Sequence, residues 1–319
     1  MKVLVIQHFR IPYQCAGSEM MLHRMALALK DAGHTVQMIT TDTPQALDME
    51  IYDEMVCHSV GKDRNRMMIL ARSFKPDVIL SHHQRAEMAI PIARQLKVKS
   101  IFVMHNDFSH NQRVLMHRPD LVVFNTEWIA HKFRARVRRG MVIHPPVYPD
   151  HCDLYRGEKV TLINKNRDKG GEIFYRLAAA LPEVEFMAVQ GAHGHQVEGP
   201  ELPNVVEQPH TANMCWDVWS ETKILLMPSI YESYGMTGVE ALCMGIPVLA
   251  NPTPGLKESL GDAGWFIPRN DEQAYVDAIT MLMSDDDFYH GVSGKCLARA
   301  SQLGTVDEMA QFVKTVEAL

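Results

Sequence analysis

The stretch Pro228-Ser-Ile-Tyr-Glu232-Ser-Tyr234-Gly235-Met236-Thr237-Gly-Val-Glu240-Ala-Leu-Cys-Met-Gly245-Ile-Pro247-Val-Leu-Ala250 decides the fold. The apolar run Ile224–Met227 before it reads as a buried strand that Pro228 ends. A polar turn carrying Glu232 and Gly235 follows. Gly238, Glu240 and Ala241 open a short helix that stops at Gly245, and residues 246–250 form a second buried strand. Strand, loop, helix N-terminus and strand make the unit of an open α/β sheet, whose carboxyl-edge loops bind ligands. The free N–H groups of such a loop favour an anion. Two carboxylates eight positions apart, Glu232 in the loop and Glu240 on the helix, can hold separate hydroxyls of one sugar-containing ligand.

Outward from this stretch the same alternation fills both halves. Residues 2–6 and Thr35–Thr40 are short apolar strands. Between them, Met21, Leu22, Met25, Ala26 and Leu29 keep helical spacing over Gly17–Ala32, and Gly33 is a natural helix end. The loop His8–Ser18 closes on Ala16-Gly17-Ser18 at the helix N-terminus, a place for a phosphate or a sugar, without the Gly-x-Gly-x-x-Gly of a dinucleotide site. Residues 77–80, 99–104, 121–124 and 142–147 read as further strands, and Tyr148–Glu158 as a linker. His82-His83 and His105 fall just past strand ends. The histidine pair has no third ligand at metal spacing, so no metal site is expected. The second half restarts with a strand at 160–163, a basic loop Asn164-Lys-Asn-Arg167-Asp-Lys169-Gly170-Gly171, and a helix over 172–181. Cations beside helix N–H groups suit a diphosphate. Strands at 184–189 and 205–206 follow. Asp285, Asp286 and Asp287 read as a solvated turn between two helices.

Composition bounds the class. A chain of 319 residues, 46% hydrophobic and 22% charged, supports two globular domains. No run approaches the ~20 apolar residues of a membrane span, and the start shows no signal peptide. Six scattered cysteines without a Cys-x-x-Cys pair read as thiols in a reducing compartment, so the expected localisation is cytoplasmic. Residues 1–150 hold 20 Lys+Arg against 14 Asp+Glu, a charge of +6. The remainder holds 12 against 24, a charge of −12. Lys132, Arg134, Arg136, Arg138 and Arg139 crowd into one short basic segment, either a solvated face or an anion-binding patch on the acceptor side.

Glu232, Tyr234, Gly235, Glu240, Ala241, Gly245, Pro247 and Val248 stand in register with the Glu-x7-Glu signature. The segment thereby resembles the retaining family-4 glycosyltransferases of the GT-B fold. The resemblance implies two Rossmann-like α/β domains facing across a cleft: an acceptor-side domain over 1–150, a nucleotide-sugar domain over 151–304, and a C-terminal helix over 305–319 crossing back to the first. It implies that Glu240 holds the donor ribose and Glu232 the hydroxyls of the transferred sugar. Tyr234 belongs to the same donor motif. The N–H groups of Gly235, Met236 and Thr237, with Lys169 and Arg167 or Lys165, meet the diphosphate, and Gly17 lies in the loop over it. His105 faces the donor sugar. Such a set does the work of a metal, so the expectation is a metal-independent hexosyltransferase with no cofactor and a nucleotide-sugar, most simply a UDP-sugar, as co-substrate. The acceptor expected from the basic half is a glycan or a polyanion: a hydroxylated base in phage-type DNA (nucleic acid), or an anionic lipid. A GT-B nucleotide-sugar epimerase and a catalytically silent sugar-nucleotide-binding protein are the alternatives.

Overall fold

A computed structural model describes residues 1–43, 48–147, 157–191, 194–303 and 305–319. The chain divides into two compact units, one of residues 1–146 with 305–319, the other of residues 147–304. Most of the expected linker, and Cys152, lie outside the described residues.

The first unit is built on an eight-stranded sheet: β1 (Lys2–Gln7), β2 (Thr35–Thr40), β3 (Met49–Tyr52), β4 (Met55–Ser59), β5 (Val78–His82), β6 (Lys99–Met104), β7 (Leu121–Phe124) and β8 (Gly140–Val142). Their order is β3-β4-β2-β1-β5-β6-β7-β8, parallel throughout except for the β3–β4 hairpin at the edge. The sequence reading missed this hairpin, and it placed the last strand too late, because the chain leaves β8 before Pro145-Pro146. The second unit has six parallel strands: β9 (Lys159–Ile163), β10 (Phe186–Val189), β11 (Val205–Gln208), β12 (Thr222–Met227), β13 (Val248–Ala250) and β14 (Trp265–Phe266). Their order, β11-β10-β9-β12-β13-β14, is the doubly wound Rossmann order. Each sheet therefore reverses direction at one point, between β1 and β5 in the first unit and between β9 and β12 in the second. A crevice opens there at the carboxyl edge.

Central strands such as β5, β7 and β13 are buried along their whole length, as parallel strands covered on both faces must be. The helix Thr305–Glu317 joins the first unit although it comes last in the chain. Met309, Phe312 and Val316 enter the core formed by β1, β2 and the helix Gly17–Asp31. Polar contacts fix its ends. Glu308 accepts hydrogen bonds from the His144 backbone N–H at 2.7 Å and pairs with His144 Nδ1 at 2.7 Å, and Glu317 lies 3.2 Å from His34. No described helix is long and apolar enough to cross a membrane. Cys57 and Cys296 are buried thiols, Cys15 is an exposed one and Cys243 is half-buried. Cys215, against the expectation, is disulfide-bonded.

Phe312 is fully buried. Phe312→Ala should therefore cost about 3–5 kcal/mol, read as a lower urea midpoint and as faster amide exchange in β1 and β2. An unchanged midpoint would remove this helix from the core.

Candidate active site

In the second unit the site grows from the loops that follow β9 and β12, neighbours across the switch point. Asn164 leaves β9 in a left-handed conformation (φ 63°) that asparagine tolerates. Its side chain accepts from Gln196 at 3.0 Å. Asn166 Oδ1 then accepts from the Lys169 N–H at 2.9 Å, which turns the chain into the helix Gly171–Ala180. Gly170 caps that helix at φ 99°, where a Cβ would overlap the Pro228 ring. Only glycine lets the two loops lie this close. They are further tied by the Ile230 N–H, which donates to the Asp168 carbonyl at 2.8 Å. Arg269 donates to the carbonyls of Asp168 and Arg167 at 3.3 and 3.0 Å, while its own N–H donates to Asn251 Oδ1 at 3.0 Å. Asn251 in turn donates to the Ser229 carbonyl at 2.9 Å.

This stitching brings Lys169 Nζ onto Glu232 Oε1, which also accepts from Ser229 Oγ at 2.9 Å. The Glu232 side chain is 11% exposed and that of Lys169 30%, so both border solvent from a fixed position. Three residues beyond Glu232, Gly235 (φ 85°) caps the helix Met236–Cys243, which begins two residues earlier than its glycines and glutamate suggest. N–H groups of a first helical turn lack intrahelical acceptors and attract anions. Glu240 stands half-buried on this helix, and burial together with its charge pushes the Cys243 thiol up.

In the first unit three strand ends converge. The loop after β1 is held by Arg10, whose buried guanidinium pairs with Glu50, donates to the Ile11 carbonyl at 2.8 Å and stacks on Tyr13 and Tyr52. That loop leads to Gly17 at the N-terminus of the helix Gly17–Asp31. His82 ends β5 and His105 follows β6. His82 Nδ1 lies 3.1 Å from His105 Nε2, and both rings are buried. Burial, with His8 nearby, pushes His105 down to about 3, and burial among imidazoles lowers His82 and His83 as well. These rings are neutral at physiological pH.

Residues 16–151 match the family model described as Glycosyltransferase Family 4, and residues 201–294 that of Glycosyl transferases group 1. The chain belongs to the family-4 glycosyltransferases. A D-inositol 3-phosphate glycosyltransferase of Corynebacterium urealyticum is 28% identical over 141 residues, which cover 38% of this chain and 33% of that relative. The chain spans about a third of the length of the curated relatives it matches. Sucrose-phosphate synthase from Thermosynechococcus elongatus has the same fold, with a TM-score of 0.79 at 16% identity over 99% of this chain and 98% of that one. Anabaena Alr3699/HepE, solved in complex with UDP and glucose, gives 0.78 at 16% identity over all of both chains. Likeness at that identity concerns the GT-B fold.

The residues singled out from sequence are not all brought together. Lys169, Glu232, Gly235, Met236, Thr237 and Glu240 lie on the two loops and the helix of one sheet edge. Arg167 is on the same edge with its side chain 79% exposed, 3.5 Å from Glu172. Lys165 departs from expectation. Its stem turns inward, and its ammonium pairs with Glu207 and lies 3.3 Å from the Tyr175 hydroxyl, so its charge is already engaged by the protein. Tyr234 is buried, its carbonyl held by Ser259 Oγ at 2.7 Å, and supports the loop from beneath. In the basic segment Lys132 pairs with Asp107 and Arg134 with Glu127, while Arg136 lies over the Phe133 ring and Arg138 is exposed. That face is solvated and partly neutralised by its own carboxylates. Asp285 caps the helix Asp286–Gln302 by accepting from the Phe288 N–H. Sequence reasoning missed Arg269, whose signal was its position just past the two-residue strand β14.

A histidine lowered by folding refuses protons that the unfolded chain binds. For His105 stability should therefore fall as pH drops from about 6.5 towards about 3, by up to about 1.4 kcal/mol per pH unit. Buried Glu19, whose carboxyl is pushed up by desolvation, acts in the opposite sense. Comparison of wild type with His105→Gln isolates the histidine. The variant should lose less stability between pH 7 and pH 5 in urea titrations, and equal losses would contradict the assignment.

Proposed function

We propose that this protein transfers a hexose from a nucleoside diphosphate sugar to an acceptor hydroxyl, with retention at the anomeric carbon. The observation that carries the reading is the convergence of Lys169 and Glu232 at the switch point of the second sheet, beside the N-terminus of the helix Met236–Cys243. A diphosphate is best met there by the Lys169 ammonium, by the N–H groups of Gly235, Met236 and Thr237, and by Arg167 reaching in from solvent. Glu232 would hold hydroxyls of the transferred sugar and Glu240 those of the ribose. The UDP in the Anabaena neighbour supports uracil as the base.

In the reaction the bond between the anomeric carbon and the diphosphate oxygen breaks while the acceptor oxygen bonds to the same face of that carbon. The acceptor's proton passes to the departing phosphate oxygen, so no separate carboxylate base is needed. Lys169 and the helix N–H groups stabilise the charge that develops on the leaving group. They take the place of a bridging Mg2+, so transfer should be insensitive to chelators of hard cations. For the acceptor, the +6 charge of residues 1–150 and the D-inositol 3-phosphate named for the Corynebacterium relative both favour an anionic molecule. A phosphorylated polyol, an anionic lipid and a hydroxylated base in DNA share that chemistry.

Lys169→Ala and Glu232→Ala should each lower transfer by about 100-fold or more while far-UV circular dichroism stays unchanged. Full activity in either would overturn the assignment. Calorimetric titration with UDP, GDP and ADP should show one preferred nucleotide, bound equally with and without chelator. Loss of that binding on chelation would contradict metal independence. Acceptor binding should weaken steeply with salt if the acceptor is DNA.

A further inference from the structure

We propose that the histidines at the carboxyl edge of the first sheet form a binding site for a first-row transition metal ion of the Zn2+ class. The pair His82-His83 lacks a third ligand in sequence, but the fold supplies one. Strands β5 and β6 are adjacent and parallel, so His105 arrives beside His82. The ligating nitrogens of His82, His83 and His105 all lie within 4.8 Å of one another. A second set overlaps the first: His8 and Glu19, from the β1 loop and the helix after it, stand within the same span of His82. The ring centroids of His82 and His83 are 4.7 Å apart and those of His83 and His105 4.9 Å.

A further observation points to a ligand here. His82 Nε2 is fully buried and has no hydrogen-bond partner among the described residues, a costly state for a polar atom in a core. His83 holds a left-handed backbone (φ 47°), a conformation that non-glycine residues keep where surrounding structure or function imposes it. The donor set also selects the ion. Neutral imidazoles, with Glu19 as the nearest carboxylate, suit Zn2+, Co2+ or Ni2+, whereas Mg2+ and Ca2+ require oxygen ligands. His83 is only half-buried, which gives the ion a way in from solvent. All five residues belong to the first unit, whereas Lys169, Glu232 and Glu240 belong to the second. The inference therefore stands apart from the transfer reaction proposed above, and no step of that reaction passes through this ion.

The test uses the 319-residue chain without a polyhistidine tag, stripped with chelator, dialysed, and titrated with Co2+. The expected result is one Co2+ per chain, with visible d–d absorption of nitrogen ligation that one equivalent of Zn2+ displaces. His82→Gln and His83→Gln should each weaken Co2+ binding at least as much as loss of a supporting hydrogen bond does, about 10–100-fold. Circular dichroism and nucleotide titration of the second unit report whether each variant is folded. Wild type that takes up neither Co2+ nor Zn2+ stoichiometrically overturns the proposal, and so does His83→Gln with wild-type affinity. If His82→Gln fails to fold, His83→Gln at its half-exposed position decides alone.

Discussion

The approach of Gly170 to Pro228 is the contact on which the second unit's site depends. Two loops from neighbouring parallel strands normally stand a strand spacing apart, about 4.7–4.9 Å, with side chains filling the gap. Here a residue without a Cβ, in a backbone conformation that side chains rarely adopt, lets one loop rest on the proline ring of the other. Everything else follows from that proximity. Ile230 reaches the Asp168 carbonyl, Arg269 bridges from a third loop, and Lys169 meets Glu232. The ion pair is a consequence of backbone packing, which is why its two members, 63 positions apart, are held in one place.

Charge in this site is arranged by backbone as much as by side chains. One helix begins at Gly171 and another at Met236, both after a glycine in the left-handed region, and both at the edge where the strand order reverses. Their N-termini add fixed partial positive charge to the ammonium of Lys169. A fixed array of donors stabilises developing negative charge without having to reorganise, which is what leaving-group departure requires.

How much of this was legible follows from what each residue's environment needs to know. Strands buried on both faces read directly as apolar runs, so β1, β2, β5, β7, β9 and β12 could be placed from sequence. The β3–β4 hairpin could not, because Met49 and Ile51 are exposed and its pattern lacks such a run. Strand β14 has two residues and no periodicity to detect. The placement of Glu232, Lys169 and Glu240 at one sheet edge was legible because it depends on local spacing within a loop and a helix. Lys165, Tyr234 and Arg269 were not, because the direction of a long side chain depends on what packs against it from distant strands. The same holds for the histidines: the pair at 82–83 is visible in the sequence, but its neighbours His8, Glu19 and His105 are assembled only by sheet order.

The helix Thr305–Glu317 sets an order on biogenesis. It is made after the whole second unit, yet Met309, Phe312 and Val316 complete a core whose other members lie in the first half of the chain. A ribosome-bound chain that has released residues 1–146 can lay down the parallel sheet but leaves the apolar face of β1, β2 and the helix Gly17–Asp31 open to solvent. Domains that fold as they emerge expose such surface until their last element arrives. During synthesis the second unit can close on itself while the first waits for its final helix. Chains interrupted before residue 305 would therefore display an apolar groove that marks them as unfinished.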